Sequence, residues 1–252
     1  MITAILVARI GSTRLPGKAL LPILGKPMLE HLVDRVRAAS TVQQVVLATT
    51  ERGEDDALAS LAERLGIGCV RGSADDVLGR VAAAAAAAGA NPIVQLLGDN
   101  PLVHGDLIDD VVAFYRAGGY DHAANVTTEF PHAPAVARRF PIGIRVEVTS
   151  ADAFARLARE ATDAHSREHS TSFIYGHPDR YRLGYFEATG RWAPLHRPEL
   201  TFAVNHRENF ELITAIFERE YGSRPNFSLL DALAAFDEDP SLLRLMGVPA
   251  QA

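Results

Sequence analysis

Ile5-Leu6-Val7-Ala8-Arg9-Ile10-Gly11-Ser12-Thr13-Arg14-Leu15-Pro16-Gly17-Lys18 decides how this chain is read. The stretch from Ile2 to Val7 is apolar and β-branched without alternation, the pattern of a central parallel strand buried on both faces. Gly11, Pro16 and Gly17 then stop the strand and let backbone come close to a ligand. Arg9 and Arg14 offer planar donor forks and Lys18 a point charge, the usual means of gripping phosphates. A basic, glycine-bearing loop at the carboxyl end of a first parallel strand is where open α/β sheets bind nucleotide phosphates. It is not a Walker A loop, because Gly17-Lys18 is followed by Ala19 and the G-x-x-x-x-G-K-[ST] spacing is missing.

Outward from this loop, helix and strand patterns alternate. Met28 to Ala39 is predicted as an amphipathic helix, Val45 to Ala48 as a buried strand, and Asp55 to Leu65 as a helix with acidic residues at its start. Ile67 to Val70 reads as a strand, Asp76 to Ala88 as an alanine-rich packed helix, Ile93 to Leu97 as a strand and Leu107 to Arg116 as a helix. Repeated βα units predict an α/β fold with a doubly wound, mostly parallel sheet and right-handed crossovers. The second half predicts strands at Ala123–Asn125, Ile144–Val148, Tyr181–Phe186 and Leu200–Val204, around a Pro/His-rich loop from Phe130 to Pro141. Helices are predicted at Ala151–Glu160 and Asn209–Tyr221. With no break in composition, the expectation is one domain over residues 1–252, carrying a mixed-sheet and dimerisation elaboration around residues 123–200.

Bulk properties narrow the classes. With 31 acidic and 25 basic residues the formal charge is -6, which argues against a general nucleic-acid binder. No run approaches the roughly 18 apolar residues of a membrane span. The N-terminus lacks signal-peptide features, so the expected location is cytoplasmic. A single cysteine, Cys69, rules out an intrachain disulfide and a cysteine metal cluster. His104, His122, His132, His177 and His196 read as loop residues without ligand spacing, so zinc is not expected.

The segment Ala8-Arg9 to Lys18 also resembles the signature of sugar cytidylyltransferases of the spore-coat polysaccharide biosynthesis protein F type, which are related to the synthetases of CMP-3-deoxy-manno-octulosonate and CMP-sialic acid. The resemblance continues through Glu30-His31, Val46 to Thr50, Arg71-Gly72-Ser73 with Asp75 to Leu78, Gly98 to Leu102, Arg167-Glu168-His169 and Asn209 to Ile213. It implies a nucleotide-diphospho-sugar transferase-like Rossmann-type fold, a homodimer, and transfer of CMP from CTP to an acidic sugar, sugar phosphate or phosphonate with release of pyrophosphate. It further implies Mg²⁺ as cofactor, while the charge balance and the lack of an apolar span lead to the expectation of no nucleic-acid and no membrane partner.

In this reading Arg9, Ser12, Arg14 and Lys18 hold the triphosphate, with Ala8 and Gly11 bringing backbone close. Cations placed on the departing pyrophosphate favour the transition state over the ground state. Read alone, some of these charges are equally well surface residues capping the turn. Asp99, at the tip of the fourth strand, reads alone as a turn or capping aspartate, and the resemblance makes it the metal ligand. Arg71 and Ser73 enter as nucleotide contacts through the resemblance. Arg167-Glu168-His169 is open between acid–base apparatus, a helix-start ion cluster and a subunit contact.

Two positions depart from the family pattern. Asn205 stands where an aspartate normally helps hold metal, keeping an oxygen donor without its charge. Pro141 to Val148 carries Ile142 and Arg145 where relatives commonly have acidic residues. An arginine there favours an anionic acceptor, or it simply faces solvent. Two rival functions stay open: a catalytically impaired nucleotide-binding regulator or scaffold, and a glycosyltransferase using a nucleotide sugar. The latter lacks its D-x-D motif, since the sequence reads Asp99-Asn100-Pro101.

Overall fold

A computed structural model describes residues 1–130 and 133–246. The chain runs β1 (Thr3–Val7), a small hairpin of β2 (Pro22–Ile23) and β3 (Lys26–Pro27), α1 (Met28–Arg37), β4 (Gln44–Thr50), α2 (Asp56–Arg64), β5 (Gly68–Gly72), α3 (Val77–Ala88), β6 (Ile93–Leu97) and α4 (Gly105–Gly118). It continues through β7 (His122–Asn125), β8 (Glu147–Thr149), α5 (Ala151–Glu160), α6 (Ala164–Glu168), α7 (Ser172–Gly176), β9 (Leu183–Phe186), α8 (Arg207–Glu220) and α9 (Leu229–Glu238).

Seven strands form one mixed sheet in the order β5-β4-β1-β6-β8-β7-β9. β1 pairs in parallel with both β4 and β6, and β5 extends the parallel half beyond β4. β8 lies antiparallel between β6 and β7, while β9 is parallel to β7. The doubly wound, mostly parallel α/β expectation holds. Along β1, successive side chains feed opposite faces. Ala4 and Leu6 join the larger core with residues of α1, α4, α8 and α9, whereas Ile5 joins Val46, Ala48 and residues of α3, α5 and α7. That two-sided burial is why the run does not alternate in polarity. The alanine run is indeed a packed helix: Ala84 and Ala85 of α3 are buried with Leu78 and Val81 against the sheet.

The parallel half sets where a ligand can sit. From β1 the chain winds outward through β4 and β5, then crosses back to β6 on the other side, so β1 and β6 flank the topological switch point. Val7 is level with Ala48 and with Leu97, which brings the loops after β1, β4 and β6 out at one edge. The seam between β1 and β6 is unusually tight there. The Gly98 amide donates to the Val7 carbonyl at 2.8 Å, and a Cβ on Gly98 would lie 2.8 Å from the Ala8 Cβ. Only glycine leaves room for that approach.

The second half departs from expectation at two places. Of the predicted strand Ile144–Val148, only Glu147 onward enters the sheet, in β8. The Asn125 side chain takes the preceding backbone instead, accepting from the Val146 amide at 2.7 Å and donating to the Ile144 carbonyl at 3.1 Å. The predicted strand Leu200–Val204 is no sheet member. It is extended and largely buried, and among the described residues its backbone pairs with Arg197, with the Ile142 turn and with the Asp99 carbonyl, which accepts from the Val204 amide at 2.9 Å. Gly143 makes the pairing with the Ile142 turn possible: its φ is +90°, and a Cβ there would stand 2.0 Å from the Ala203 nitrogen. Sequence reading also passed over α9, whose Leu229, Ala232, Leu233 and Phe236 complete the larger core. Within the Phe130–Pro141 loop, Pro131 and His132 lie outside the described residues. No helix among the described residues is long and apolar enough to cross a membrane.

Candidate functional site

A cavity of about 380 Å³ opens above the carboxyl ends of β1 and β6, lined among others by Arg9, Ser12, Arg14, Lys18, Arg80 and Asp99. Its floor is the Val7-Ala8 and Leu97-Gly98 backbone whose close approach Gly98 permits. The basic loop is pinned from below. The fully buried Asp55 accepts from the Ile10 amide at 2.6 Å and from the Thr50 hydroxyl, tying the ends of β1 and β4 together. Gly17, at φ +71°, turns the chain so that its amide donates back to the Ile10 carbonyl at 3.0 Å and Lys18 faces inward.

Lys18 and Asp99 meet at the centre of this edge. The ammonium is 2.7 Å from Asp99 Oδ2 and 2.8 Å from the Val204 carbonyl, with side chains only 14% and 23% exposed. The extended segment that failed to become a strand is what supplies that carbonyl. It also puts Asn205 one residue beyond it; the Asn205 amide donates to the Asn209 side chain at 3.3 Å, at the entry to α8.

Two guanidinium groups form the opposite wall. Arg9 and Arg80 both donate to the Ala74 carbonyl, at 3.0 and 3.1 Å, and Arg80 also donates to the Ser73 carbonyl. Arg80 is 2% exposed and its Nε is buried without a hydrogen-bond partner. Burial first, then the neighbouring Arg9 charge, push the Arg80 guanidinium below its ordinary value. Glu168 balances Arg9 only loosely, at 3.6 Å and more than half exposed. Asp55, Asp75 and Asp76 also act on Arg80, but none of them pairs with it directly, and two cations held side by side in this way suit an anionic ligand. Arg14 is exposed at the loop tip and completes the rim.

Gly11, Arg71, Ser73 and Asn205 are not among the residues lining this cavity; a Cβ on Gly11 would instead meet the Glu54 carboxylate at 2.7 Å. Arg71 is consumed in bracing β5 against the end of β4: it donates to the Thr50 and Arg52 carbonyls at 2.8 and 2.9 Å and pairs with Asp56 at 2.7 Å. The Ser73 hydroxyl accepts from the Asp75 amide at 3.3 Å. The Arg167-Glu168-His169 run divides. Arg167 pairs with Asp76, the residue that caps α3 by accepting from the Gly79 amide at 2.7 Å. Burial pushes the Asp76 carboxyl up, but Arg167 and the Gly79 amide outweigh it and hold it below its ordinary value. Glu168 and His169 instead face the cavity.

They also face a second one. A neighbouring cavity of about 450 Å³ shares Val77, Leu97, Glu168 and His169 with the first, and reaches Gln95, Arg145 and Tyr175. Behind it lies a buried polar network. Glu147, 1% exposed, accepts from the Thr171 hydroxyl at 2.8 Å and from the Tyr175 hydroxyl at 2.9 Å. Burial, with Glu147 alongside, raises the Tyr175 phenol well above its ordinary value, so it stays a donor. Since its one proton goes to Glu147, the contact with His122 Nε2 at 2.7 Å has the imidazole donating, and Nδ1 accepts from Thr149 at 2.8 Å. Burial pushes His122 down to about 4, so the ring is neutral. His122 opens β7 inside the core and is not the loop residue the sequence suggested, whereas His104 does lie in the connection before α4 and caps that helix by accepting from the Asp106 amide at 3.2 Å.

Arg80 was not expected among the contact residues, and the sequence leaves Glu168 and His169 open between acid–base apparatus, an ion cluster and a subunit contact. Arg80 had a signal, since it falls one turn into a helix whose capping aspartate was legible. The other two depend on the packing of α6 against α3, which no local pattern encodes.

A family model described as cytidylyltransferase matches residues 3–221. The chain is 31% identical over 241 residues to the spore coat polysaccharide biosynthesis protein SpsF of Bacillus subtilis, covering 94% of both chains. It is 31% identical over 223 residues to 3-deoxy-manno-octulosonate cytidylyltransferase 2 of Hydrogenovibrio crunogenus, covering 86% of this chain and 85% of the relative. Among solved structures, a cytidylyltransferase from Leptospira borgpetersenii superposes with a TM-score of 0.84 at 23% identity, covering 100% of this chain and 98% of that one. A match across the β1 loop, the switch point and the segment bearing Val204 agrees with the geometry: this chain belongs to the cytidylyltransferase family.

Proposed function

We propose that this protein transfers CMP from CTP to an acidic sugar or a similar acceptor. The acceptor hydroxyl forms a bond to the α-phosphorus while the bond to the β-phosphoryl oxygen breaks; pyrophosphate leaves and the hydroxyl proton is lost. The observation that carries this reading is the convergence of Arg9, Lys18 and Arg80 around Asp99 at the β1/β6 switch point. Arg9 and Arg80 orient the triphosphate, and Lys18 moves from Asp99 onto it, where its charge grows in value as pyrophosphate departs. Arg14 and Ser12 close the rim, and the Ala8-Arg9 backbone would lie against the nucleotide.

The donor set fits Mg²⁺. Asp99 gives a hard carboxylate on the cavity wall, Asn205, next to Val204, would add a neutral oxygen, and among the described residues no three His, Cys, Asp or Glu side chains gather into a cage. That suits an ion held by one carboxylate together with substrate phosphates and water. When bound, the ion withdraws electron density from the phosphoryl oxygens. The relative from Hydrogenovibrio, named for a cytidylyl transfer to an acidic sugar, supports the choice of nucleotide and acceptor class.

The test is pyrophosphate release from CTP, UTP, ATP and GTP with Mg²⁺ against a panel of acidic sugars, sugar phosphates and phosphonates. Release confined to CTP and dependent on an acceptor supports the reading. Release equal for all four nucleotides, or none with any acceptor, overturns it.

A further inference from the structure

We infer that Arg145 reads the anionic group of the acceptor in the second cavity and is the specificity-determining residue of the transfer. This rests on the cytidylyl-transfer reading and specifies which side chain chooses the substrate. The second cavity adjoins the first through Leu97 and His169, so a molecule seated in it has the Asp99 edge within reach. Arg145 lies on its wall with a side chain 18% exposed, and its Nε is buried with no hydrogen-bond partner. Its one ion pair among the described residues is with Glu147 Oε2, at 3.4 Å through a single nitrogen.

Glu147 leaves that guanidinium underused. Its other oxygen is already taken by Thr171 and Tyr175, so no two-pronged pairing forms. A guanidinium carries five donors in a fixed fork that matches a carboxylate or phosphonate. Phe130 lies beneath the plane, 5.5 Å from its ring centre, and holds the fork in place. Around the same wall stand neutral partners for hydroxyls: Gln95 and Ser170, bonded to each other at 2.8 Å, and Ser172, whose buried Oγ has no partner. Glu129 and Glu168 also line this cavity and keep its charge from being purely basic, so Arg145, its one arginine or lysine among the described residues, is the group able to take an anion, with the neutral donors and acceptors left for the hydroxyls of a polyhydroxylated acid.

Three variants test this: Arg145→Gln, Arg145→Lys, and Arg145→Gln combined with Glu147→Gln, which avoids leaving a lone buried carboxylate if the single change fails to fold. Pyrophosphate release and calorimetric binding are measured for 3-deoxy-manno-octulosonate against its methyl ester. The wild type is expected to favour the acid about 100-fold, the scale of a charge-assisted fork against its neutral counterpart. Arg145→Gln and the double variant bring that ratio to within about threefold by raising KM for the acid, and Arg145→Lys restores part of it. KM for CTP and kcat stay near the wild-type values. Retention of the acid preference in Arg145→Gln or in the double variant overturns the inference, as does wild type that binds acid and ester alike. A protein that binds CTP but releases no pyrophosphate with any acceptor refutes the transfer reading instead, and the calorimetric contrast between acid and ester still decides for or against Arg145.

Discussion

Lys18 performs two tasks in this account, and removing it separates them. It pairs with Asp99 through one charge-assisted bond of 2.7 Å between side chains that are 14% and 23% exposed. A bond of that kind contributes roughly 1.5–3 kcal/mol when buried, and a fully exposed ion pair under about 1. At this partial burial a value of about 1–2 kcal/mol is reasonable, which corresponds to roughly a 5- to 30-fold competition against any cation seeking Asp99. In Lys18→Met, free Mn²⁺ followed by electron paramagnetic resonance without nucleotide should therefore bind about 5- to 30-fold more tightly than in the wild type. The same variant should lose about 10²- to 10³-fold in kcat, the usual cost of deleting one positioned charge from a transition state. The two effects run in opposite directions, so neither is mistaken for unfolding. Unchanged Mn²⁺ affinity in a folded Lys18→Met protein would refute the reasoning, because Lys18 would then not be holding the metal carboxylate.

Gly98→Ala should disrupt the site from beneath: its Cβ would fall 2.8 Å from the Ala8 Cβ and 3.0 Å from the Val7 carbonyl. Thermal unfolding should show a loss of about 1–3 kcal/mol from this overpacking, with CTP affinity falling in step. Arg71→Met, which breaks a brace outside the cavity, should lower stability by about 1–2 kcal/mol while calorimetry finds CTP affinity within about threefold of wild type. His122 governs part of the acid sensitivity. Burial pushes it from an ordinary 6.5 to about 4, so below pH 6.5 the unfolded chain takes up a proton that the folded chain refuses. That contribution is complete above pH 6.5 and is lost as pH falls toward 4, by up to about 3 kcal/mol. Urea midpoints at pH 7 and pH 5 should accordingly differ less in His122→Gln than in the wild type, and an equal difference in both proteins would contradict the assignment.

The parallel half of the sheet was legible because each of its strands is encoded locally. A run such as Ile2 to Val7 has one reading once both faces must be buried, and the loop that follows announces itself through glycine, proline and charge. The antiparallel β8 was harder. Its pairing with β6 and β7 spans residues 93 to 149, and the Asn125 side chain shortens it in a way that no strand propensity encodes. Leu200–Val204 carries the composition of a strand and the burial of one, yet among the described residues its backbone partners are Arg197, the Ile142 turn and the Asp99 carbonyl. The candidate site divides along the same line. Arg9, Ser12, Arg14, Lys18 and Asp99 sit on short connections leaving β1 and β6, so fold class alone predicted that they would share an edge. Arg71 lies at the end of β5, two strands out from β1, and its side chain turns to Asp56 and the β4 terminus. Glu168 and His169 reach the cavity because Arg167 locks α6 to the capped start of α3, a contact 91 residues apart in sequence.

The most direct test of the central claim is a single-turnover experiment in which the wild type and Asp99→Ala are each loaded with CTP labelled at the α-phosphate, Mg²⁺ and an acidic sugar. The account predicts that label passes from CTP to the sugar in the wild type, and that Asp99→Ala still binds CTP but transfers label at least about 10³-fold more slowly. Transfer by Asp99→Ala at the wild-type rate would mean that the reaction does not take place at the β1/β6 edge.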